Sequence, residues 1–145
     1  MKRSEVRQFV EDGVNQITPA LDYYEGLITD FNSKRNNQYP AVHLLLETTD
    51  TELDGSAPTD DWDIVLIIAK LDKMDSLPPQ YEGIVDDCHY ISQQLIYKYR
   101  NIVNGYKLVT IEDVKREKFV KKYADCLTGI ELSFTLKAPD QTNVC

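Results

Sequence analysis

Residues 61–71 read DWDIVLIIAKL, and the choice of fold turns on them. From Ile64 to Ala69 every residue is apolar, the longest such run in the chain. A membrane-spanning helix needs about 20 such residues, so this run predicts something shorter. Bounded by polar residues and rich in branched side chains, it predicts a central strand covered on both faces. Upstream, residues 49–60 (TDTELDGSAPTD) are acidic and carry Gly55 and Pro58. They offer little to pack and predict an exposed loop. Before them, residues 41–48 (AVHLLLET) predict a second buried strand.

Downstream, Pro78-Pro79 suits the first turn of a helix. Tyr81, Ile84, Val85, Cys88, Ile91, Leu95, Tyr99 and Ile102 then recur at steps of three or four and predict one apolar helix face over residues 80–103. Glu82, Asp86, Gln93 and Arg100 fall on the opposite face, and Asn104-Gly105 marks the stop. Near the start, Val6, Phe9, Val10, Val14 and Ile17 form a helical stripe over residues 4–17, with Ser4 as the expected N-cap and Gly13 as a weak point. Residues 20–28 predict a short strand, and residues 29–40 read as a loop. Residues 106–111 predict another strand. Residues 112–122 fit a strand or a helical turn, with strand favoured because Val114, Arg116 and Lys118 then share a face. Residues 129–137 alternate, with Ile130, Leu132, Phe134 and Leu136 directed inward. The order α-β-β-β-α-β-β predicts one α+β domain over residues 1–145: a mostly antiparallel sheet of four to five strands with two helices on one face.

Composition narrows the function. The chain has 145 residues, 28% of them charged, and a formal net charge of -8. An acidic chain makes duplex nucleic acid an unsuitable main ligand, because phosphate binding depends on clustered cations. One basic cluster, KREKFVKK at 115–122, leaves room for a local contact with an anion or an acidic partner, against the plainer reading of a solvated surface. The N-terminal MKRSEVRQFVEDG has no apolar core of the secretory kind. Cys88, Cys126 and Cys145 include no CxxC pair and read as reduced thiols.

Three constellations could carry chemistry. Asp60, Asp61 and Asp63 flank Trp62, and Asp86, Asp87 and His89 sit close together on the long helix; either could contribute to a metal-dependent hydrolase. On a helix, however, Asp87 diverges from Asp86 and His89. Cys88 could pair with His43 or His89 as nucleophile and base, although its place on the apolar stripe predicts an inert, buried thiol. The nine tyrosines fit either a thick core rim or a protein contact surface. Tyr90 and Tyr97 lie seven apart on the long helix, off its main stripe.

Several segments together resemble the small neck and tail-completion ring proteins of tailed bacteriophages, including those of crAss-like phages. They are DFNSKRNNQYPAVHLLLET at 30–48, WDIVLIIAKLDK at 62–73, the long helix, and YADCLTGIELSFTLKAPDQTNVC at 123–145, whose closing pattern is an aspartate (Asp125), a Leu-x-Gly turn (Leu127, Gly129), an alternating strand, then Pro139 and Cys145. The resemblance covers most of the chain in element order. It implies a non-catalytic virion protein that forms a homo-oligomeric ring at the head–tail junction. Portal, neck or tail proteins would adjoin it, and DNA would pass through the channel without specific binding. It implies no cofactor and names no catalytic, cofactor-binding or metal residue. In such a ring the acidic loop at 49–60 is expected to face the basic 115–122 segment of a neighbour or of a companion ring. The competing expectation is a cytoplasmic metal-dependent hydrolase or small-molecule binding domain that uses the Asp-rich loop.

Overall fold

The computed structural model describes residues 1–17, 21–25, 40–52, 59–103, 109–122 and 126–139. Helix α1 (Arg3–Asn15) comes first, then β1 (Asp22–Glu25), β2 (Ala41–Glu52), β3 (Thr59–Leu71), helix α2 (Pro78–Val103), β4 (Thr110–Lys122) and β5 (Leu127–Pro139). The five strands form one sheet in the order β1-β2-β3-β5-β4. Only β1 and β2 run parallel; the other pairs are antiparallel. This is the expected α+β architecture, with the 61–71 strand at the centre of the sheet.

Both helices pack on one face. Val6, Phe9, Val10 and Val14 of α1 and Val85, Cys88, Leu95 and Tyr99 of α2 share a core with Ile64, Leu66 and Ile68 of β3 and Leu132, Phe134 and Leu136 of β5. Tyr99 is fully buried at its centre. Its ring lies 5.0 Å from that of Phe9 and 5.4 Å from that of Phe134, and its hydroxyl donates to the Val10 carbonyl at 3.0 Å. Gly13 makes this fit, because a Cβ there would lie 2.0 Å from Cε1 of Tyr99. The residue that weakens α1 as a helix thus lets α2 approach it.

Irregularities in two strands decide which side chains face the helices. In β2 the pairing with β3 shifts between Leu44 and Leu46. One extra residue reverses the faces of everything beyond it. Val42 and Leu44 point into the helix-side core, and past the bulge Glu47 takes that side, opposite Ile64. There Arg7 Nε donates to Glu47 Oε1 at 2.8 Å and Arg3 Nη1 donates to it at 3.1 Å. The carboxylate, whose side chain is 8% exposed, is thereby held by two cations of α1. In β4, register shifts flank Asp113 and Lys121, both with positive φ. Charged side chains and bulges on this outer strand oppose pairing with another chain's edge.

Several boundaries differ from expectation. Helix α1 begins at Arg3, so Ser4 lies inside its first turn; Glu5 instead accepts from the Lys2 N–H at 3.1 Å. Strand β2 runs on to Glu52, and β3 begins at Thr59, so the ends of the expected acidic loop are arms of a hairpin. Threonine's strand preference and the pairing of Thr49 with Trp62 outweigh the acidic composition there. The middle of that loop, residues 53–58, lies outside the described residues, as do the Asn104-Gly105 stop and most of the 29–40 loop. Residues 110–122 form a strand throughout, and the 129–137 alternation holds within a longer strand, Leu127–Pro139. Gly129 is not a turn residue. It sits inside β5, where a Cβ would lie 2.0 Å from the Ile68 carbonyl oxygen.

Candidate interaction surface

Helix α2 is set by its first turn: Leu77 N–H donates to Gln80 Oε1 at 2.9 Å, and the Leu77 carbonyl accepts from Gln80 N–H at 2.8 Å. Of its expected stripe, Val85, Cys88, Ile91, Leu95 and Tyr99 are buried and Tyr81, Ile84 and Ile102 half-buried, with Ser92, Ile96 and Val103 added to the buried side. Its outward face carries Tyr90 and Tyr97, 60% and 64% exposed. At 100° per residue they share a stripe about 80° wide with Gly83, Asp87, Gln94 and Asn101. A second exposed apolar group stands on the connection between β3 and α2, where Leu71, Met74 and Leu77 are 49%, 74% and 66% exposed. In the sequence, the large apolar residues Met74 and Leu77 within the otherwise polar stretch 72–79 are the signal for this group.

That connection is tied firmly to the β4–β5 turn. Asp72 N–H donates to the Cys126 carbonyl at 2.9 Å, Thr128 Oγ1 donates to Asp72 Oδ2 at 2.7 Å, and Lys121 Nζ donates to the Ser76 carbonyl at 2.7 Å. Partial desolvation pushes the Asp72 carboxyl up. The hydrogen bonds from Thr128 and the Lys73 backbone, with the charge of Lys121, outweigh this and hold it below the usual carboxylate range.

The basic segment 115–122 is largely engaged within the chain. Arg116 Nε donates to Ser92 Oγ at 2.9 Å, Lys118 Nζ lies 2.8 Å from Glu82 Oε1, and Lys121 Nζ lies 5.3 Å from the Tyr81 ring centroid. These cations fasten β4 to α2 and its approach. Lys115 pairs with Glu117 along the strand at 2.9 Å.

The three constellations do not converge. Asp61 and Asp63 lie on the sheet face away from the helices, where Lys137 Nζ is 3.8 Å from Asp61 and Thr135 donates to Asp63 at 2.9 Å; Asp60 alternates to the other face. Asp86, Asp87 and His89 are exposed on α2 at different angles. Among the described residues no three of His, Cys, Asp and Glu are grouped to hold a metal ion. Cys88 is buried under α2, and burial pushes its thiol up to about 12. His43 is also buried, but its register opposite Ile67 puts it on the far face, with the sheet between it and Cys88. No helix among the described residues is long and apolar enough to cross a membrane. No protein-family model matches the chain, and no curated protein matches it.

Proposed function

We propose that this chain is a structural subunit of a phage virion that forms an oligomeric ring at the head–tail junction and performs no catalysis. The observation that carries the reading is the element order. A first helix, a central strand through WDIVLIIAKL, one long helix and a closing alternating strand occur in the sequence that the resemblance to neck and tail-completion proteins requires. The exposed Tyr90, Tyr97, Met74 and Leu77 support it, since rings need sticky patches on separate parts of a subunit.

The charge contact expected between neighbours changes. With Arg116, Lys118 and Lys121 fastened to α2 and its approach, the 115–122 segment serves first as an internal clasp. Subunit contacts then fall to the apolar and aromatic patches. The net charge of -8 suits a channel wall that does not grip phosphates. Portal, neck or tail proteins are the proposed neighbours.

Negative-stain imaging of the purified protein, with mass measured in solution, tests this. Closed rings of uniform diameter are expected. A strictly monomeric protein at all concentrations would overturn the ring reading, and tight, salt-sensitive binding of duplex DNA would overturn the non-gripping channel.

A further inference from the structure

We infer that the outward face of α2 is a self-association surface, and that its occupant is the same face of a second copy lying antiparallel to it. The first observation is aromatic placement. Tyr90 and Tyr97 are the largest exposed side chains of this face and stand at equal distances either side of the midpoint between Gln93 and Gln94. A twofold axis through that midpoint sets Tyr90 of one copy against Tyr97 of the other, about 5 Å along the helix from the axis.

The second observation is charge. Asp86 and Asp87 stand on the N-terminal half of this face and Arg100 near its C-terminal end, all exposed. Among the described residues none of the three takes part in an ion pair within the chain. The same twofold axis brings Asp86 of one copy to within about one residue of level with Arg100 of the other, on the same flank of the seam, and does so twice. A parallel arrangement would set Asp against Asp and Arg against Arg, and would also align the two helix dipoles. The face is therefore complementary to itself in one orientation only, as an isologous contact requires.

Magnitude sets the character of the contact. Four tyrosine rings, each about two-thirds exposed beforehand, would bury on the order of 500 Å². Stable complexes bury about 1,200 Å² or more, so the pair alone is weak and concentration-dependent. A contact of this kind does not close a ring; it joins copies from two rings, which leaves the Leu71, Met74 and Leu77 patch for contacts within a ring, or it pairs subunits before assembly and then releases the tyrosine face to the ring contact.

Sedimentation velocity of the full chain over a concentration range is the test, with the fold checked by circular dichroism. Arg100→Glu is expected to weaken dimerisation by about tenfold or more. Adding Asp86→Lys and Asp87→Lys to it should restore association. Tyr90→Ala with Tyr97→Ala should abolish it. Gln94→Cys, beside the axis, should form a disulfide with itself between copies far faster than Lys73→Cys. Association unmoved by Arg100→Glu, or no Gln94→Cys dimer, overturns the inference. Rings that persist while Arg100→Glu changes nothing defeat this contact and leave the ring reading standing. Dimers without rings, dissolved by Arg100→Glu, do the reverse.

Discussion

Along the central strand the two faces of the sheet differ: the helix-covered one is apolar from Trp62 to Ile68, and the other changes character midway. Under the helices, β3 contributes Trp62, Ile64, Leu66 and Ile68, all buried. On the far face Ile67 and Ala69 are buried with Ala41 and Leu127, but Val65 is half-buried, Asp63 exposed and Asp61 paired with Lys137. The run from Ile64 to Ala69 therefore records two-sided burial over only half of its strand. Where the polar alternation begins, the second face has met water or another surface.

The deepest cut into the helix-covered face is Tyr99→Ala. It removes a fully buried ring and its hydrogen bond to Val10, and should cost about 4 kcal/mol. Ile67→Ala on the far face should cost about 3 kcal/mol at most. Equal losses, measured as urea midpoints with unchanged slopes, would erase the distinction between the faces. Gly129→Val comes next. Its Cβ would strike the Ile68 carbonyl, so a loss of about 2 kcal/mol or more is expected, and an unchanged midpoint would mean that the strands do not approach so closely.

A smaller effect is tied to pH. Asp72 joins the end of β3 to the β4–β5 turn, and its folded carboxyl titrates below the ordinary value of 3.8. A depressed carboxyl stabilises the fold above its unfolded pKa, and that contribution is lost as pH falls through the folded value. Asp72→Asn should therefore lose less stability than the wild type on acidification from neutral pH to below 3.8. Parallel curves would sink the assignment. Least of all, Thr135→Val on the polar part of the far face should change stability by less than about 0.5 kcal/mol. A larger loss would show that this region belongs to the core.

The sequence made the element order and both helix stripes legible, because burial imposes a period on residues close together in the chain. The alternation of β5 was legible for the same reason, whereas 112–122 fits a strand or a helical turn and only the shared face of Val114, Arg116 and Lys118 favours the strand. Three features were not legible. The bulge near Leu45 leaves no mark in AVHLLLET, since Leu44, Leu45 and Leu46 are interchangeable to a pattern, yet it determines that Glu47 meets Arg3 and Arg7. KREKFVKK looks like a surface because the partners of its cations, Ser92 and Glu82 on α2 and Ser76 on its approach, are distant in sequence. Gly129 drew attention for a turn it does not make; its constraint is the neighbouring strand's backbone, which a single chain segment cannot reveal. For the candidate surface, the spacing of Tyr90 and Tyr97 was visible, but their exposure required the inward face to be known.

The contact between Gly13 and Tyr99 has an evolutionary consequence. Alanine is the better helix former, so drift on α1 alone would favour it at position 13. With Tyr99 in place that step is closed, because the ring occupies the space of the new methyl group. Shrinking residue 99 first opens the step at the cost of a cavity beside Phe9 and Phe134. Position 13 can thus gain a side chain only once residue 99 has shrunk, and relatives of this chain should fall mainly into two sets: glycine with tyrosine, or a larger residue at 13 with a smaller one at 99.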